Sequence, residues 1–180
     1  MKKLWILAIL LGCMVITGCD SATTNETNTG SSSVVANKEE KSDLTDVWAY
    51  NDALIDIIDG DCLDAESEFL DAIDNIEGDT AKVFDTLDQA LTTCENALLS
   101  VKWMKPYEGD DSLRSSIEKY LDAEVTYLEM WDQLFTTENE EEMDVLGSEI
   151  DRMEEQTALL YQDVIQVQEA FASKFGYELE

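Results

Sequence analysis

Beyond residue 42 apolar residues recur at spacings of three and four, and no useful stretch alternates in steps of two. That period marks amphipathic helices rather than half-buried strands. The first helix is expected over residues 43–76, with Val47, Asn51, Leu54, Ile58, Cys62, Ala65, Phe69, Ala72 and Ile76 on one stripe. Ser42 can cap it, and Asp43 and Asp46 stand in the first turn, where negative charge complements the helix dipole. Gly78 ends it as a C-terminal glycine does. Gly60 inside it costs about 1 kcal/mol relative to alanine and suggests a local kink.

A second helix is expected from Asp79 or Thr80, with a seam of Phe84, Leu87, Leu91, Cys94, Leu98, Val101 and Lys105, ended by Lys105-Pro106. A third spans residues 112–135, with Leu113, Ile117, Tyr120, Leu121, Tyr127, Leu128, Trp131 and Leu134 inward. Thr137 with Glu140 reads as a capping box. The fourth carries Met143, Leu146, Ile150, Met153, Thr157, Leu160, Val164, Val167, Phe171 and Phe175, with Gly176 as its cap. The fold class is all-α: an antiparallel up-down-up-down four-helix bundle with long first and fourth helices. A long coiled-coil dimer is the competing arrangement, against which stand the turn signals at Gly78, Pro106 to Gly109 and Thr136-Thr137.

Gly78 lies midway between Cys62 and Cys94. In an antiparallel hairpin, residues equidistant from the turn stand at one height, so these cysteines should face each other. A disulfide there would stabilise the domain by roughly 3–4 kcal/mol; the alternative is two buried thiols serving as small hydrophobes.

The amino-terminal end has a different pattern. Lys2 and Lys3 precede an apolar run, Leu4 to Ile16. It is shorter than the about 20 residues of a spanning helix and suits a secretory leader. The run closes on Ile16-Thr17-Gly18-Cys19, which resembles the lipobox of bacterial lipoproteins, where the cysteine is lipidated with palmitate-type chains and becomes the mature N-terminus. The alternative is an ordinary cleaved signal with a chance cysteine. Residues 1–18 are thus expected to be the signal peptide, and 19–41 the lipidated N-terminus and a flexible tether. Residues 42–180 are expected to form the helical domain. The tether is rich in Ser, Thr, Asn and Gly, cannot offset its ordering entropy by burial, and reaches roughly 25 Å. Asp20 resembles an inner-membrane retention signal of enteric-type sorting, which would favour the periplasmic face of the inner membrane in a cell with two membranes.

Charge narrows the partners. The chain carries 41 acidic against 11 basic residues, for a formal net charge of −30. So acidic a surface argues against nucleic acid and anionic lipid as partners, and suits a cationic partner or a saline habitat. There is no histidine, which excludes a Glu-x-x-His diiron set, a conventional zinc site and a Ser-His-Asp triad. No metal or other cofactor is expected. A redox CxxC and a glycine-rich phosphate loop are both missing.

At 1.5 Å per residue the first and fourth helices reach about 50 Å and the middle two about 35–40 Å. The excess should overhang at one end, where residues 43–51 and 162–175 extend past the loop of residues 105–111. Trp48, Tyr50, Asn51, Asp52, Lys105, Tyr107, Asp110, Arg114, Gln168 and Phe171 should collect there, at the tethered end. Bracing predicts that Arg114 pairs with Asp52 or Glu169. Tyr50-Asn51-Asp52, Lys105-Pro106-Tyr107-Glu108-Gly109-Asp110 with Leu113-Arg114, Gln168-Glu169-Ala170-Phe171-Ala172 and Lys174-Phe175 resemble the recurring motifs of an uncharacterised family of small helical bacterial lipoproteins. The resemblance implies a helical, lipid-anchored ectodomain and supplies no catalytic residue. The expected function is therefore non-enzymatic. It is an exported module, held to the membrane by its lipid, that binds or scaffolds another envelope protein. The alternative is a receptor for a small ligand or cation with its site at the tethered end.

Overall fold

The computed structural model describes residues 46–75 and 80–179, all within one compact unit, Leu44–Glu180. The leader, Cys19, the tether, Ser42, Ile76 and Gly78 lie outside the described residues, which form four helices and no strand. Helix α1 is continuous through three stretches: α-helical Val47–Asp56, a π-helical stretch Ile57–Leu63, and α-helical Asp64–Asp74. Helices α2 (Thr80–Trp103), α3 (Ser112–Thr136) and α4 (Glu140–Phe175) follow. None of the described helices is long and apolar enough to cross a membrane.

The π stretch has a reason in the sequence. Leu54, Ile58 and Cys62 are all buried, at two successive spacings of four. An α-helix turning about 100° per residue would carry the third of them about 80° off the stripe set by the first. A wider π turn holds all three inward, and such insertions often sit at points of special function. Gly60, where the sequence suggests a kink, falls within this stretch. The cap of α1 is Asp46, not Ser42: its side chain accepts the Trp48 N–H at 2.9 Å.

Three further expectations are corrected. The buried line on α2 is Val83, Leu87, Ala90, Cys94, Ala97 and Val101, with Leu98 beside it, whereas Phe84 is 41% exposed. Leu87, Cys94, Leu98 and Val101 are buried as expected, and small alanines take inward places beside them because α2 packs closely on its neighbours. Helix α2 also ends at Trp103, two residues before Lys105-Pro106. At the start of α4 the cap is Asn139, which accepts the Glu141 N–H at 3.1 Å, while Thr137 bonds the Glu142 carboxylate at 2.9 Å. Asparagine competes at least as well as threonine for that position. Every inward residue expected on α3 is buried, and Gly176 caps α4 in the left-handed conformation, φ 76°.

Candidate functional site

The loop between α2 and α3 positions one end of the domain. Tyr107 and Asp110 bracket a tight turn closed by Asp110 N–H donating to the Tyr107 carbonyl at 2.8 Å. Its central residues, Glu108 and Gly109, both have positive φ, 47° and 83°, as a type I′ turn demands. The turn presents Tyr107 to the helices on one side. On the other it leaves Asp110 to accept the Ser112 N–H at 2.8 Å and the Ser112 hydroxyl at 2.6 Å. Lys174 of α4 donates to the second Asp110 oxygen. That ammonium first, then Ser112, holds the Asp110 carboxyl down to about 2.

Tyr107 meets Tyr50 at 5.3 Å, Phe171 at 6.0 Å and Phe175 at 5.0 Å between ring centroids, and Tyr50 meets Phe171 at 5.9 Å. Tyr50, Asn51 and Phe171 are all buried. Burial raises the Tyr50 hydroxyl above its ordinary range, with the nearby Arg114 charge opposing. Asn51 is satisfied by Gln168, whose amide donates to its Oδ1 at 3.0 Å. Thus Tyr50, Asn51, Tyr107, Gln168 and Phe171 come together. Lys105 and Asp52 lie exposed at the margin, Asp52 accepting the Asn51 amide at 3.4 Å.

Arg114 corrects an expectation. It pairs with neither Asp52 nor Glu169 but with its own helix start: Nη2 meets Asp111 at 2.8 Å and Nη1 meets Glu118 at 3.0 Å. Partners three and four residues away on one helix face need no tertiary placement. Its guanidinium lowers the Asp111 carboxyl. This end also holds Tyr177, which sequence reasoning passed over. It is buried, stacks with Trp48 at 4.6 Å, and its hydroxyl is pushed up to about 12 by burial and then by the Asp52 charge. An apolar residue just after a capping glycine commonly folds back on the helix, which is the signal that could have found it.

Midway along the helices, Cys62 and Cys94 are bonded, with Cα atoms 4.6 Å apart, and both are fully buried. Beside them Gly60, Asp61, Asp64 and Glu68 of α1 and Gln89 and Thr93 of α2 line an open groove of about 270 Å³. Among the described residues no group of three or more acidic or cysteine side chains is placed to hold a metal ion.

A second polar centre was missed. Glu124 of α3 is 1% exposed, and its Oε1 has no hydrogen-bond partner. Glu66 of α1 and Tyr120 of its own helix stand beside its carboxyl, which is pushed up to about 8 by burial and then by the Glu66 charge. The signal was legible: Glu124 falls four residues after Tyr120 and four before Leu128, on the inward stripe. Compared with protein-family models, curated proteins and solved structures, the chain finds no match.

Proposed function

We propose that this chain is an exported lipoprotein, lipidated on Cys19, whose acidic helical domain is a non-enzymatic module that binds or scaffolds a protein of the cell envelope. The finer architecture belongs to the same reading: α1 to α4 run antiparallel in up-down-up-down order. That order is supported by contacts between positions remote in sequence. Cys62 bonds Cys94, Tyr161 meets Asp59 at 3.3 Å, Gln168 meets Asn51 at 3.0 Å and Ser116 meets Asp163 at 3.1 Å.

The observation that carries the scaffold reading over the receptor reading is how the candidate end is filled. Tyr50, Tyr107, Phe171 and Phe175 occupy it themselves, and the Gln168 amide donates to the buried Asn51 Oδ1. Groups so engaged brace the helices and leave little to offer a small ligand, whose sites present convergent polar groups in a concave space. The anchor reading rests on Lys2-Lys3, the apolar run and Thr17-Gly18-Cys19.

Two measurements test it. Metabolic labelling with a palmitate analogue should mark the wild-type chain and leave Cys19→Ala unmarked; equal labelling of both refutes the anchor. In-cell crosslinking from photoreactive residues at Trp103 and Glu108, both exposed, should recover a defined envelope protein. Recovery of no neighbour above background refutes the scaffold.

A further inference from the structure

Glu124 is buried among groups drawn from three helices. Glu66 approaches from α1 and Tyr120 from α3 itself, and Glu154 of α4 acts on Glu66 through its charge. Tyr127 of α3 senses Glu66, Glu124 and Glu154 alike, and Tyr161 of α4 acts on Tyr120. Helix α2 adds no counter-charge: Lys82, Asp85, Asp88, Glu95 and Lys102 face solvent, and Cys94 is in the disulfide. No cation is among the groups acting on either carboxyl.

Two carboxyls brought together out of water cannot both stay ionised, so one of them holds the proton. The lone Oε1 of Glu124 says the same. An ionised carboxylate, unlike a neutral carboxyl, could not be left buried with a bare oxygen and no cation at hand. We propose that Glu66 and Glu124 form a proton-operated latch: a single proton shared between them fastens α1 to α3, and its loss sets two like charges against each other and loosens α1. The inference rests on the fold alone and is independent of the lipid-anchor reading.

The sign follows from linkage. A carboxyl whose folded value is raised binds its proton in the folded state and has released it in the unfolded one. Its contribution to stability is fully present below the ordinary glutamate range and is lost as pH rises through the folded value, about 8. The composition makes this readable. The chain has no histidine, both domain cysteines are bonded, and burial raises Tyr50, Tyr120, Tyr127 and Tyr177. The pair is therefore the source of proton linkage between pH 6 and 8.5.

The experiment is thermal unfolding of the full chain in neutral detergent from pH 6 to 8.5, in buffers of different ionisation enthalpy. The melting temperature should fall with rising pH by several degrees, and unfolding near neutrality should release about one proton. Glu124→Gln should abolish both. A melting temperature flat over this range, or a fall that survives in Glu124→Gln, overturns the proposal. Should that variant not fold, infrared titration of the wild-type chain decides: a protonated-carboxyl band that vanishes above about pH 8 supports the shared proton, and its absence at pH 6 refutes it. Hydrogen exchange in Asp64–Asp74, corrected for intrinsic base catalysis, should lose protection across the same transition. Unchanged protection there refutes the latch even if the proton is found.

Discussion

The Cys62–Cys94 bond closes a loop with a sequence separation of 32. Tying two points that far apart removes chain entropy from the unfolded state worth about 3.7 kcal/mol at 25 °C. For a domain of this size each kcal/mol moves the melting temperature by about 3–5 °C, so removing the bond should lower it by about 10–18 °C. The perturbation is the double variant Cys62→Ala with Cys94→Ala, compared with the oxidised and the reduced wild-type chain in urea, followed by far-ultraviolet circular dichroism. Both sulfurs are fully buried, so the alanine variant also loses packing and should fall somewhat below the reduced wild type. The denaturant slope should rise on reduction, because an uncrosslinked chain exposes more surface when it unfolds. Burial adds a kinetic corollary: a reductant reaches the bond only through opening of α1 against α2, so native-state reduction should be slow and quicken in mild urea. A loss below about 1 kcal/mol on reduction would refute the entropic argument.

Two other outcomes are expected. Gln168→Ala strands the Oδ1 of buried Asn51, which Gln168 now satisfies at 3.0 Å, and should cost about 1–3 kcal/mol in urea titration; adding Asn51→Leu should recover part of that loss, and strict additivity would show that the two amides do not act together. Asp110, held down to about 2 by Lys174 and Ser112, stabilises the fold above the ordinary aspartate range and loses that contribution as pH falls toward its folded value; Lys174→Ala should raise the Asp110 carboxyl in an NMR titration, and an unmoved value would refute the ion pair.

The helices were legible because their apolar stripes are long and regular. The cysteine pairing was legible because Gly78 lies midway between its partners. What escaped depended on shape rather than on the apolar pattern. Ala90 and Ala97 face inward while Phe84 is partly exposed, a choice that close helix approach makes and hydrophobicity scales do not. Gly60 signalled a disturbance in α1, but its π form follows from the wide spacing of Leu54, Ile58 and Cys62, which only burial reveals. The aromatic end was legible in outline, since overhanging helix ends must meet the loop between them. Arg114 was assigned wrongly because nearby partners on its own helix, Asp111 and Glu118, outcompete remote ones at little entropic cost. Glu124 was passed over because an acid in so acidic a chain carries no signal by type; its position on the stripe of α3 carries all of it.

These particulars bear on how so charged a chain holds together. A formal net charge of −30 opposes compaction through self-repulsion, and surface ion pairs return little, typically under about 1 kcal/mol each. Stronger fastenings are placed at intervals along the helices. Covalent chemistry joins α1 to α2 at Cys62 and Cys94, rings from α1, the α2–α3 loop and α4 close one end, and Phe69, Trp131 and Phe135 join α1 to α3 farther along. The Glu66–Glu124 contact holds α1 between Cys62 of the disulfide and Phe69 of that second group of rings. It alone of these fastenings can be released by proton loss under ordinary conditions, which makes α1 the element through which pH could act on the domain.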